Sequence, residues 1–321
     1  MALTESLTVQ DWPLVARAAG IDPAPYAVAR KWIKDEKGRA QVTLALTAPG
    51  APGLIAKQIF EPGDETHFTG LVTAQTRAAL ALADHATARV PGVIAHDLQR
   101  RLMLSTLVTG ETALSALEGA ANHGAILARC GAWTAAFHAA GLTEERRFQP
   151  RYMAEHLARI AAEVVSGKRI VPARAQFLAT VAAIRERSPQ AEGAPTVSAI
   201  RHGDLQSRNL ILDAALTWGI DLGAIQTAPV GYDIARFLLD YAWTSADLDR
   251  LDKGELLPAD ATAAFFDGYR LTAAADESVH FLMAVRLALD WASLPPDPDR
   301  MSVRKVIQFR RMQRIAANAF G

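Results

Sequence analysis

"IRHGDLQSRNLILDAALTWGIDLGA", residues 200–224, reads as two short apolar strands with polar groups gathered at their ends. "NLIL" and "LTWGIDL" are joined by a tight connection at "DAA" and are expected to pair as a hairpin. In that pairing Asn209 and Asp221 fall opposite each other at the open end. Asp204 lies five residues before Asn209, on the loop that enters the hairpin. Turn chemistry alone favours Asp and Asn wherever strands begin and end. A carboxylate beside an amide oxygen also makes a hard-oxygen site of the kind Mg²⁺ takes, with water and phosphate as its remaining ligands. A second carboxylate nearby, not needed for the metal, can accept a proton from a hydroxyl nucleophile. Together these are the parts that phosphoryl transfer requires.

The rest of the chain sets the frame. Its 321 residues suffice for one large domain or two lobes with sizeable cores. Half the residues are apolar and the formal charge is zero, which gives no sign of a nucleic-acid or membrane-surface partner. Cys130 is the one cysteine, so an intrachain disulfide is ruled out and a reducing, cytoplasmic setting is expected. "MALTESLTVQDW" lacks the basic-then-apolar form of a signal peptide, and no apolar run reaches the roughly 18 residues of a membrane span.

From about Tyr26 to Leu107 the pattern is strand-rich. "YAVARKW" and "AQVTLALTA" flank the polar "IKDEKGR" as a hairpin, "APGAPG" is a turn, and "GLIAKQIFEP" is an apolar strand closed by Pro62. Phe68, Leu71, Val72, Ala78, Ala79 and Leu82 recur at helical spacing, and "VPGVIAHD" and "RLMLSTL" read as two more strands. Beyond "VTGET" the chain turns to alanine-rich helices and ends in the basic "RKVIQFRRMQRIAANAF". "GLTEERRFQP" reads as a charged helix face. There is no solenoid-type repeat, no phosphate loop of the Gly-x-x-x-x-Gly-Lys kind and no Rossmann fingerprint. Six further histidines, His67, His85, His96, His123, His156 and His280, show no zinc-type pairing.

His-x-Asp-x-x-x-x-Asn followed about a dozen residues later by Asp-x-Gly resembles the catalytic-loop and metal-loop pattern of the protein-kinase-like fold. The glycine of "HGD" and the downstream "GYDIARF" are closer to the aminoglycoside phosphotransferase and small-molecule kinase branch than to protein kinases. The resemblance implies an α+β fold, with a small β-rich N-terminal lobe over residues 1–107 that binds nucleotide. A larger helical lobe over residues 108–321 would carry the catalytic loop and acceptor site. It implies Asp204 as catalytic base, His202 as a brace for the loop, and Asn209 and Asp221 as Mg²⁺ ligands. Asp233 would support the loop from a helix start, and His138, in "AAFHAAG", is expected to be packed rather than catalytic.

The same resemblance requires a lysine on the third strand, and Lys57 shares a face with Ile55 and Ile59, where a cation needs an anion beside it. Its family partner is a glutamate, and that position falls on Gln75, which carries no charge, with Glu61, Glu65 or Asp64 serving in another register. The nucleotide-covering loop has only Gly38 where protein kinases have three spaced glycines. Backbone near Ser105 to Leu107 would meet the purine, with ATP against GTP left open. The acceptor site would draw on Trp243, Tyr269, Arg286, Asp290 and Trp291. The expected partners are thus ATP and a small hydroxylated metabolite, a sugar or amino sugar derivative ahead of an antibiotic, with neither nucleic acid nor membrane. A pseudokinase that binds nucleotide and regulates a partner, and an aminoglycoside-resistance enzyme, are the alternatives.

Overall fold

The computed structural model describes residues 2–36, 38–141, 143–273 and 276–321. The chain divides into two compact units: Met1–Glu111 with Ile211–Gln226, and Thr112–Leu210 with Thr227–Gly321. The sequence pattern placed one cut between residues 107 and 108. In the contacts, residues 211–226, which hold most of the hairpin, count with the first unit.

The first unit opens with helix α1 (Ala2–Ala18), then strands β1 (Ala27–Glu36), β2 (Arg39–Ala48) and β3 (Ala51–Glu61), helix α2 (Glu65–Ala81), and strands β4 (Ala88–Arg89), β5 (Val93–Asp97) and β6 (Leu102–Thr106). Five of these strands form an antiparallel sheet of order β1-β2-β3-β6-β5. Alternation along each strand sorts its side chains to two faces. Val42, Leu44, Leu46, Leu54, Ala56, Leu102 and Leu104 pack on Trp12, Val15 and Ala16 of α1. The intervening Ile59 and Met103 pack on Phe68 and Val72 of α2. Lys57, two residues from Ile59, therefore lies on the α2 side. Helix α1 has no clear apolar stripe in the sequence. It has Pro13 in its interior, and its inward stripe begins with the buried hydroxyl residue Thr8.

Glu111–Thr112 (β7) leads from the first unit into the second, whose helices α3 (Ala113–Gly119) and α4 (Gly124–Ala139) come next. Strand β8 (Glu144–Arg147), helices α5 (Arg151–Val165), α6 (Arg174–Glu186) and α7 (Ser188–Ala191), and strand β9 (Pro195–Ile200) follow. Strands β10 (Leu210–Leu212) and β11 (Thr217–Gly219) make the hairpin, which from residue 211 counts with the first unit. Then come β12 (Thr227–Pro229), α8 (Gly231–Thr244), α9 (Ala259–Gly268), α10 (Glu277–Ala292) and α11 (Val303–Phe320). "EERR", expected on a helix face, is instead β8, an exposed edge strand paired antiparallel with β9 from Glu144↔Ser198 to Arg147↔Pro195. With no apolar position, it has no period to read, and its pairing with β9 decides. The basic last helix is tied down by its own cations. Arg311 donates to the carbonyls of Ala242 and Ala246 at the end of α8, and Arg314 donates to Leu248 and pairs with Asp249. Among the described residues no helix is long and apolar enough to cross a membrane.

Candidate active site

The hairpin of residues 210–219 is built by its turn. The Asp213 carboxylate accepts from the N–H groups of Ala215 (2.9 Å) and Leu216 (2.6 Å), and its second oxygen accepts from the Trp218 indole at 3.2 Å. β11 runs parallel to β4, with Thr217 opposite Ala88, so the hairpin is fastened to the first unit. At Gly110 the backbone has φ +132, and any Cβ would lie 2.5 Å from the Leu212 carbonyl oxygen. Two residues after β11 the chain reaches Asp221, at φ +64, in the left-handed region that aspartate tolerates better than most residues.

Asp221 meets Lys57. The Nζ of Lys57 donates to Oδ1 at 2.5 Å, with the lysine side chain only 14% exposed, and Lys34 Nζ stands 3.7 Å from Oδ2. The Asp221 carboxylate supplies the charge that a lysine on the half-buried face of β3 requires. Gln75 is buried, but its amide nitrogen donates to the Pro91 carbonyl at 3.1 Å. The structure therefore does not pair it with Lys57 as expected: a neutral amide is a weaker partner for an ammonium than the Asp221 carboxylate, and the Pro91 carbonyl needs a donor. Ser105 is in mid-sheet, paired on both sides, and the Leu107 N–H donates to Gly53 O at 2.9 Å, so that N–H is not the donor for a base.

The other candidates lie in the second unit, on the loop after β9. Gly203 has φ +86, which explains the glycine of "HGD". Its N–H and that of His202 donate to the two oxygens of Asp233, at 3.1 and 2.6 Å. His138 Nε2 reaches the same carboxylate at 3.2 Å, and its Nδ1 faces the Tyr269 hydroxyl at 3.0 Å. Burial pushes the Asp233 carboxyl up, but the hydrogen bond and charge of His138, the charge of His202 and the His202 N–H outweigh it. The carboxyl ends below its ordinary value. Burial pushes the Tyr269 hydroxyl far above the ordinary range, so it stays protonated. The His202 ring is fully buried against Trp133 and Phe137. Its Nδ1 accepts from the Asp204 N–H at 3.3 Å, so the ring braces the loop from within the core.

Asp204 itself is partly open, with its side chain 33% exposed. Its Oδ1 accepts from Gln206 Nε2 at 2.5 Å and from Arg236 Nη2 and Nε at 3.0 and 3.2 Å. Asn209 donates Nδ2 to the Asp204 carbonyl at 2.8 Å, which fixes the amide and turns Oδ1 away as an acceptor. Ser207 anchors the far end of the loop, giving its N–H (2.9 Å) and hydroxyl (2.5 Å) to Asp240. Arg236 and Asp240 were not among the expected residues. Asp233, Arg236 and Asp240 stand at i, i+3 and i+7 on α8, one helix face, and that spacing was readable in "GYDIARFLLD".

Of the expected acceptor residues, Tyr269 and Trp291 are wholly buried. Trp291 donates to Pro172 O and packs between Phe177 and Phe309, and Trp243 is 6% exposed. These are core side chains. Arg286 and Asp290 pair at 2.7 Å, and Arg236 Nη1 lies 3.7 Å from Asp290. The Cys130 thiol, buried in α4, is pushed up to about 12 by burial and is inert. Among the described residues no group of three His, Cys, Asp or Glu side chains is placed to hold a metal by itself.

The model of a family described as "Phosphotransferase enzyme family" matches residues 31–270. No curated protein sequence matches. Among solved structures, the fold is shared with amicoumacin kinase hAmiN in complex with AMP-PNP, Ca²⁺ and Ami, at TM-score 0.58 and 14% identity over 98% of this chain and 93% of that one. It is shared also with a choline/ethanolamine kinase family protein from Mesorhizobium loti, at TM-score 0.54 and 14% identity over the whole of both chains. A third is a putative fructosamine-3-kinase from Thermobifida fusca, at TM-score 0.54 and 15% identity over 98% of each chain.

Proposed function

The chain belongs to the phosphotransferase enzyme family, with the α+β protein-kinase-like fold of small-molecule kinases, and from that premise we propose that it transfers the terminal phosphate of ATP to a hydroxyl of a sugar or amino sugar derivative. The observation that carries this reading is the Asp204 carboxylate, held by one oxygen and partly open, on a loop whose backbone is fixed at both ends. In the transfer the acceptor oxygen bonds to the terminal phosphorus, the bond to the bridging oxygen of ADP breaks, and Asp204 takes the hydroxyl proton. Lys57 binds phosphate oxygens. Asn209 Oδ1 and the Asp221 carboxylate are each hard-oxygen donors of the kind that would hold Mg²⁺. Mg²⁺, when bound, offsets the charge of the phosphates. Asp221→Ala is expected to abolish the strengthening of ATP binding by Mg²⁺ with the circular dichroism spectrum unchanged. Calorimetry with and without the metal checks this, and an unaltered metal dependence rejects the ligand.

The acceptor class follows from charge. A pocket for polycationic antibiotics needs carboxylates free to pair with each ammonium. Here Asp249 pairs with Arg314 at 2.6 Å, Asp260 with Arg250 at 2.7 Å, and Asp290 with Arg286. These acids already have cations. Specificity constants for kanamycin-type compounds and for simple sugars and amino sugars, at matched salt, test the preference. Faster phosphorylation of the antibiotic by tenfold or more, about 1.4 kcal/mol at the transition state, reverses it in favour of resistance. The engagement of Gln75 by Pro91 gives weight to a second reading, a nucleotide-binding pseudokinase, which predicts binding without transfer to any acceptor.

A further inference from the structure

We infer that Arg236 is a positioning residue for the reaction: it fixes the rotation of the Asp204 carboxylate so that Oδ2 is the oxygen presented to the acceptor hydroxyl. This deepens the proposed function and rests on Asp204 being the base.

Three N–H groups converge on one oxygen of Asp204. Arg236 brings two of them, from Nε and Nη2, and Gln206 the third. A carboxylate with Oδ1 so occupied is no longer free to turn about its Cβ–Cγ bond, and its lone pairs on Oδ2 keep one direction. On its other side the guanidinium faces a second acid, as an ion pair without a hydrogen bond. Its Nη1 stands 3.7 Å from Oδ2 of Asp290, an acid 9% exposed that is fixed in turn by Arg286 one helical turn earlier on α10. The planar guanidinium is suited to this, because one end can address Asp204 while another addresses Asp290. The helix α8 thus holds the catalytic loop three times from one face. Asp233 takes the N–H groups of residues 202 and 203, Asp240 takes Ser207, and Arg236 takes the side chain that reacts. In phosphoryl transfer the protein contributes mainly placement, so a group that sets the direction of the base acts on turnover rather than on nucleotide affinity.

The test is ADP release from Mg-ATP, with water alone and with added glucosamine as acceptor, in Arg236→Ala, Arg236→Lys and Asp290→Asn. Arg236→Ala should lower kcat by about 10²-fold, the scale of a misplaced reacting group, with KM for ATP and calorimetric Mg-ATP binding within about twofold of wild type. Free guanidinium at concentrations well below denaturing should restore part of the rate to Arg236→Ala and none to Asp204→Asn. Asp290→Asn should show a smaller loss, and the double variant should be no slower than Arg236→Ala, since the acid acts through the arginine. A wild-type kcat in Arg236→Ala overturns the inference. So does a loss that guanidinium leaves untouched and that Asp290→Asn adds to independently. If Arg236→Ala does not fold, a wild-type kcat in both Arg236→Lys and Asp290→Asn overturns it equally. Loss of turnover in Asp204→Asn with none in the Arg236 variants defeats this inference alone, whereas full turnover in Asp204→Asn defeats the base assignment beneath it.

Discussion

Asp204→Asn is expected to lower turnover by roughly 10²–10⁴-fold, the usual weight of a general base, while Mg-ATP binds as in the wild type. The substitution keeps the shape of the side chain, so Arg236 and Gln206 still have an oxygen to donate to, and the loop stays anchored through Asp233 and Asp240. What is lost is the ability to accept a proton at the second position. Single-turnover measurement with the best acceptor, alongside calorimetry of the nucleotide, separates the two effects. Undiminished turnover removes Asp204 from the mechanism.

Asp233→Asn is expected to destabilise the second unit by about 3–5 kcal/mol, the cost of breaking a buried charged network by removing one partner. Three donors, the N–H groups of His202 and Gly203 and the His138 ring, converge on this carboxylate, which is 1% exposed. An amide offers one oxygen, so its NH₂ must face at least one of those donors. Because the folded-state value of Asp233 lies below the ordinary 3.8, its stabilisation is complete above that value. It is lost as the pH falls through the lower folded value. The difference between wild type and variant in urea midpoint should therefore be full at pH 7 and shrink below about pH 4. A variant as stable as the wild type at pH 7 contradicts the network's role. Since the same bonds fix the loop just before Asp204, turnover should fall as well.

What the chain discloses by itself depends on the range of the interaction. The order of three strands, a helix and two strands was readable because apolar alternation and helical spacing are local, as along Leu54, Ala56 and the opposed Ile55, Lys57, Ile59. The loop glycine and the helix-start aspartate were readable because their residue types are demanded by backbone geometry. The partner of Lys57 was not. The chain offers both Gln75 and Asp221, and only tertiary packing decides that the carboxylate takes it. Strand β8 escaped because "EERR" has no apolar period, and α1 because Thr8 and Pro13 blur its stripe. Tyr269 and Trp291 were expected at an acceptor site from the architecture alone, as residues of the C-terminal helices, and their rings complete the core instead. Arg236 and Asp240 were in plain view at helical spacing from Asp233, but each acts on the loop through a side chain or N–H that sequence spacing does not locate.

In the proposed reaction a phosphoryl group passes from ATP to a small-molecule hydroxyl. Phosphorus NMR of wild-type protein with Mg-ATP, over a panel of sugars, amino sugars and other hydroxylated metabolites, tests it most directly. The predicted result is a phosphate monoester resonance that grows in step with ADP for at least one acceptor and is suppressed in Asp204→Asn. Bound nucleotide with no phosphorylated product from any member of the panel, or ADP accompanied by inorganic phosphate alone, would contradict it.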